Sequence, residues 1–293
     1  MPVKREKQII AVYSEGAVST GSLLHRLRQT YPAGAFDIRT IGTADITEKK
    51  ILESGKIHAL FMPGVQDDSR SYRDLVTLDG WNRIRAYIEE GGAVVGLCAG
   101  AYLATANFEY LNYANGELRK LYSPLDIFEG KAFGPIPQYT NTSGRPGHKF
   151  ANHAVARLAF NEAAGYRGEG AACYALGPYL TLPPEIAARP DYKIIARYAD
   201  VPGQPIAIAS RRVGKGVAVF CGVVPEVSGA DMPAIDQRLT YAAFNRDEDV
   251  AAGQAFAQAL AAHEDGRRRT WEILVAEIGR RGVPRAAPPR PSA

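Results

Sequence analysis

The amino-acid sequence predicts an α/β fold, a mostly parallel sheet with helices on both faces. Three observations carry that prediction. Strand-type and helix-type segments alternate through the first part of the chain, a Gly-x-Cys-x-Gly stretch stands at one strand-to-helix junction, and two extended segments near residues 193–211 read as an added antiparallel hairpin. Alternation of this kind implies right-handed βαβ crossovers, and ligands then bind outside the carboxyl ends of the strands.

Residues 8–14 read as a buried strand, and 18–30 follow with Leu23, Leu24 and Leu27 at helical spacing. Residues 36–41 form a second strand, 45–54 a short helix and 58–62 a third strand. A helix over 75–90 with Asp74 as its N-cap stops at Gly91-Gly92, and 93–97 is the fourth strand. From 112 to 170 the chain is rich in Gly, Pro, Asn and aromatics, and only 151–160 reads as a strand. Extended segments at 193–198 and 205–211, a turn at Gly214-Lys215-Gly216 and a last strand at 217–223 complete the sheet. Helical patterns cover 233–245 and 250–279, and the Pro- and Arg-rich residues 282–293 cannot build a core. The expected organisation is one domain over 1–247, a helical extension over 248–281 and a disordered tail over 282–293.

Composition narrows the function classes. A chain of 293 residues with 46% hydrophobic and 23% charged residues has the make-up of an ordinary globular protein. The net charge is only +4, and the excess Arg at 267–269, 280–281, 285 and 290 has no interleaved aromatics for base stacking. That pattern reads as a solvated helix face and argues against a nucleic-acid partner. No apolar run is long enough to span a membrane. Cys98, Cys173 and Cys221 make neither a metal spacing nor an even disulfide set, so no metal or cofactor is expected and the expected location is cytoplasmic.

Cys98 is the most informative residue. With Gly96 and Gly100 two residues to either side, it has the pattern of a nucleophile elbow, a turn so tight that its flanks must be glycine or nearly so. The thiol then projects above the sheet at a helix N-terminus, which favours thiolate. The competing reading is a buried structural cysteine beside a Gly-rich turn.

Several ordered segments resemble one family, the amidotransferase-like N-terminal domain of eukaryotic biotin–protein ligases and its free-standing bacterial versions. Phe61-Met62-Pro63-Gly64-Val65 resembles its Pro-Gly-Gly strand end. Tyr72-Arg73-Asp74-Leu75, Asn82-Arg83-Ile84-Arg85 and Gly91-Gly92 are similar to the approach to its elbow, and Gly96-Leu97-Cys98-Ala99-Gly100-Ala101-Tyr102 to its signature. Leu125 to Gly130 with Gly134-Pro135, Tyr174 to Tyr179, and Gly222-Val223-Val224-Pro225-Glu226 resemble its Gly-Pro, Asn-Gly-Gly and His-Pro-Glu segments. The resemblance is clear up to about residue 247. It implies a flavodoxin-like three-layer sandwich of the class I glutamine amidotransferase type and a Cys-His-Glu site. It does not imply biotin ligation, because the Gly-Arg-Gly-Arg-type biotin loop has no counterpart in this sequence.

Carried over residue by residue, Cys98 is the nucleophile and Glu226 the triad carboxylate. Ala99, with Gly64 or Val65, supplies the oxyanion donors, and Arg70, Tyr72, Arg73 and Gly177 border the substrate. The departure is Val224, which stands where the family has its histidine and can neither take nor give a proton. Candidate substitutes are His148 and His153 beside a polar loop, or a carboxylate such as Glu15 or Asp67; His25, His58 and His263 are expected away from the site. Two readings follow: a cysteine-dependent hydrolase of a C–N amide bond in a small or peptide-like substrate, or a catalytically impaired pocket protein that binds a ligand or partner, with homodimerisation left open. A redox-responsive cysteine is a third.

Overall fold

A computed structural model describes residues 7–17, 19–65, 72, 76–112, 116–140, 153–231 and 247–279. In chain order the first half comprises β1 (Gln8–Tyr13), α1 (Thr20–Thr30), β2 (Phe36–Ile41), α2 (Thr43–Thr47), β3 (Ile57–Met62), α3 (Leu78–Glu89), β4 (Ala93–Leu97) and the one-turn α4 (Ala99–Tyr102). The second half runs β5 (Asn107–Asn112), β6 (Glu117–Tyr122), β7 (Lys131–Gly134), β8 (His153–Phe160), β9 (Glu169–Ala175), β10 (Tyr179–Thr181), α5 (Pro184–Ala187), β11 (Tyr192–Tyr198), β12 (Ile206–Val213), β13 (Gly216–Cys221), α6 (Asp247–Ala261) and α7 (Glu264–Gly279).

The order β2-β1-β3-β4-β13 is parallel throughout, a doubly wound α/β arrangement whose strand order reverses between β1 and β3. Alternate residues of each strand enter different layers. Ala11, Tyr13, Leu60, Met62 and Val94 pack with Trp81, Ile84 and Ile88 of α3. On the other face Ile10, Val12, Phe61, Val95 and Leu97 pack with Leu23 and Leu27 of α1 and with Trp271, Leu274 and Ile278 of α7. A strand covered on both faces reads as a continuous apolar run, as 93–97 does.

The expected hairpin is present as β11 and β12, and it is part of a larger, mostly antiparallel section in which β5 and β7 run parallel. β8 and β9 extend it on one side, and β10, β7, β5 and β6 on the other. β6 (ELRKLY) is charged and mostly exposed, and β9 (EGAACYA) is built of small residues, so neither carries the apolar signature that marks a core strand. The expected helix over 45–54 is two pieces, α2 and a 3-10 turn at Ile51–Ser54, because Lys50 between them takes a left-handed φ of 49°. α3 starts at Leu78, and its cap is Thr77, whose Oγ accepts from the Gly80 N–H at 3.2 Å.

The two C-terminal helices pack into these layers. Trp271 of α7 stacks on Phe61 at 6.3 Å and its Nε1 donates to Thr30 Oγ1 at 2.8 Å. The helix expected over 233–245 and the tail over 282–293 lie outside the described residues. Among the described residues no helix is long and apolar enough to cross a membrane.

Candidate active site

The elbow is built by close approach. A Cβ on Gly100 would stand 2.1 Å from the Met62 carbonyl oxygen, and one on Gly96 2.4 Å from that of Gly100, so only glycine lets α4 fold back onto β3 and β4. Between them Cys98 takes φ 51° and ψ −109°, a conformation that L-residues with a side chain rarely adopt. Its backbone N–H is tied to the Cys221 carbonyl at 2.9 Å, which locks the turn to β13.

The thiol at the centre is protected and neutral. Cys98 is only 7% exposed, and its Sγ donates to the Ala175 carbonyl at 3.0 Å. Burial first, then the charge of Glu226, push its pKa up to about 12, against a smaller opposing pull from the Ala99 N–H. Burial and the nearby Glu226 thus oppose the thiolate that the helix N-terminus was expected to favour.

The other expected residues fall into three groups. Gly64 and Ala99 are beside the thiol: a Cβ on Gly64 would lie 3.6 Å from Cys98 Cβ and 3.7 Å from Sγ. Val65 follows directly and pairs with Ala17 in an isolated bridge. Gly177 and Tyr72 support the site from behind. A Cβ on Gly177 would strike the Gly222 carbonyl at 1.9 Å and approach Cys98 Cα at 3.4 Å, so Gly177 backs the elbow. Tyr72 is buried, donates to the Pro63 carbonyl and packs on Tyr13 at 5.5 Å. It holds the Pro63-Gly64 strand end and offers no hydroxyl to a substrate. Arg70, Arg73, Asp67, Asp74 and His148 lie outside the described residues.

At the position of the absent imidazole, Val224 packs with Cys98, Cys173, Val227 and Leu260, and its N–H donates to the Cys173 carbonyl at 2.8 Å. Glu226, two residues on, is 0% exposed, and neither carboxyl oxygen has a hydrogen-bond partner among the described residues. Burial raises its pKa to about 7, moderated by its own backbone N–H, the Ser19 hydroxyl and the charges of Arg267 and Arg26. The Ser19 Oγ faces this carboxyl without closing a hydrogen bond of ordinary geometry.

His153 lies in β8, in the strand beside the one that carries Ala175. It opposes Ala175, the thiol's acceptor, in the β8–β9 ladder and packs edge-on to Phe256 at 5.8 Å. His25 pairs with Gln29, His58 with Gln8 at the far end of the sheet, and His263 is exposed. Glu15 is committed elsewhere, accepting from Thr43 N and Oγ1 at 3.1 and 2.8 Å at the start of α2.

Two contributors escaped the sequence reading. Arg267, expected on a solvated face, is fully buried, pairs with Glu264 and donates to the Pro225 carbonyl, holding the Val224–Glu226 loop. Ser19 caps no residue at the start of α1, although its place just after β1 puts it at the sheet edge where ligands bind. Among the described residues no three His, Cys, Asp or Glu side chains converge as a metal ion requires.

Residues 8–282 match the family model described as biotin-protein ligase, N terminal. The chain belongs to that family. The match runs past residue 247 and takes in α6 and α7. An uncharacterized protein of Chlamydia muridarum is 29% identical over 279 residues, covering 92% of this chain and 96% of that one. The biotin–protein ligase of Schizosaccharomyces pombe is 27% identical over 187 residues, which is 61% of this chain and 27% of that enzyme. Solved structures similar to this member of the family include a glutamine amidotransferase at 16% identity, covering 84% of this chain and 98% of that one with a TM-score of 0.46. A glutamine amidotransferase from Thermotoga maritima is 9% identical, covering 93% and 97%, with a TM-score of 0.49.

Proposed function

We propose that this chain is a cysteine-dependent hydrolase of a C–N amide bond in a small or peptide-like substrate, with Cys98 as its nucleophile. The observation that carries the proposal is the backbone at Cys98. A side chain held at φ 51° and ψ −109° costs about 1–3 kcal/mol, which an ordinary buried cysteine gives no reason to retain. The sulfur attacks the amide carbon, and the Ala99 N–H together with that of Gly64 or Val65 receives the developing negative charge on oxygen. Loss of the amine leaves a thioester on Cys98, and water then releases the acid and restores the thiol. The cytoplasm is the proposed location, since three buried free cysteines suit a reducing compartment.

The test is release of amine or ammonia from a panel of primary and secondary amides by the full chain. The proposal expects turnover in the wild type and none in Cys98→Ala; turnover that survives in Cys98→Ala contradicts it.

Val224 favours a second reading, a pocket that binds without cleaving. Val224→His separates the two. Activity that appears only in that variant supports the binder, and activity already present in the wild type eliminates it.

A further inference from the structure

A thiol that is neutral at rest must lose its proton before it attacks, and Val224 cannot accept it. Three buried polar atoms near Cys98 have no hydrogen-bond partner among the described residues: Ser19 Oγ and both carboxyl oxygens of Glu226. The hydroxyl and the sulfur border the same glycine. A Cβ on Gly64 would stand 3.7 Å from Cys98 Sγ and 3.7 Å from Ser19 Oγ, so the side chain that Gly64 lacks leaves one small gap bordered by thiol and hydroxyl together. The same Ser19 hydroxyl lies close enough to the Glu226 carboxyl to lower its pKa.

A buried carboxyl without a partner is costly, and an apolar residue in its place would commonly stabilise a fold. Among the described residues none donates a hydrogen bond to this one. The Val224–Glu226 loop is already held by the Val224 N–H and by Arg267 on the Pro225 carbonyl.

Resting on the reading of Cys98 as nucleophile, we infer that Ser19 and Glu226 form the proton path of this site, in place of an imidazole at position 224. As the carbon–sulfur bond forms, the Cys98 proton passes to Ser19 Oγ while the Ser19 proton passes to the Glu226 carboxylate. The reverse transfer delivers a proton to the leaving nitrogen as the C–N bond breaks. The attacking water then gives its proton to the same carboxylate, and that proton returns to sulfur when the thioester opens. Atoms and charges balance with no other reactant.

The charged groups around Glu226 suit this use. Arg26 of α1 and Arg267 of α7 favour its ionised form, and Asp231 and Glu264 balance those two cations. Cys98, Cys173, Cys221 and Tyr72 also sense its charge, and all four are neutral at pH 7. With its pKa near 7, Glu226 is a far better proton acceptor than an ordinary surface carboxylate.

The test needs no known substrate. Cys98 in the full chain is alkylated with iodoacetamide between pH 5 and 10, and the rate is read by peptide mass spectrometry in the wild type, Glu226→Gln, Ser19→Ala, the double variant and Ser19→Thr. The relay predicts a wild-type rate that rises through pH 7 and then flattens. It predicts a loss of about 100-fold at pH 7 in each single variant, no further loss in the double variant, and partial recovery with threonine. A purely electrostatic Glu226 predicts the opposite sign, because removing its charge lowers the thiol pKa and speeds labelling. Faster or unchanged labelling in Glu226→Gln overturns the relay while leaving Cys98 as nucleophile. Wild-type labelling of Cys98 no faster than that of Cys173 and Cys221 defeats the nucleophile itself, and the relay with it.

Discussion

Glu226 and Glu277 are both sealed from water, at 0% and 3% exposure, and the fold treats them in opposite ways. Glu277 on α7 receives Lys193 Nζ at 2.5 Å, the Ser210 hydroxyl at 3.0 Å and the Tyr166 hydroxyl, so each oxygen has a donor. Glu226 has none among the described residues. The difference teaches that this chain can satisfy a buried carboxyl where the carboxyl pins a helix to the sheet. The carboxyl it leaves unsatisfied is the one beside a strained cysteine and an idle serine, where proton transfer rather than cohesion explains its presence.

The comparison can be broken first at its structural end. Glu277→Ala strands Lys193 in a largely buried setting and is expected to cost about 3–5 kcal/mol, measured by urea unfolding. A loss well under 1 kcal/mol would mean that the triple contact contributes no more than an exposed ion pair.

Glu226 is expected to respond with the reverse sign. Its folded pKa of about 7 lies above the ordinary glutamate value of about 4.5, so between those pH values the native state holds more protons than the unfolded chain. Stability from this group is therefore present at low pH and lost as pH rises through that window, by roughly 3 kcal/mol at most. In Glu226→Gln that decline disappears and the protein at pH 8 is more stable than wild type. A Gln variant whose stability falls with pH as the wild type's does would show that Glu226 is not a stranded acid.

The smallest effect concerns the elbow. Cys98→Gly is expected to melt above Cys98→Ala by roughly 1 kcal/mol, because both remove the thiol and only glycine accepts the positive φ without strain. Equal melting of the two would remove the strain on which the functional reading rests.

What the sequence disclosed, and what it hid, follows from range. The elbow was legible because its geometry is local: Gly96 and Gly100 are needed within two residues of Cys98, and their spacing is visible in a line of text. The parallel strands were legible because both their faces are apolar. Tyr72 was misplaced on a substrate rim because nothing near it in sequence announces that its ring will lie on Tyr13. Arg267 sat in a run of three arginines that looked solvated, and only the fold of α7 against the Pro225 loop shows one of them to be interior. Ser19 carried no motif. It matters because Gly64, far along the chain, leaves a gap that it shares with the thiol.

The most direct measurement of the account is a competition among three thiols. Cys98, Cys173 and Cys221 are all buried, and burial raises the pKa of each to about 12 or beyond. Brief exposure of the folded chain to a small electrophile at pH 7, followed by peptide counting, asks whether anything besides burial sets their reactivity. Modification of Cys98 at least about ten times faster than either neighbour is the predicted result. Three thiols reacting at one common rate, that of global opening, would contradict it.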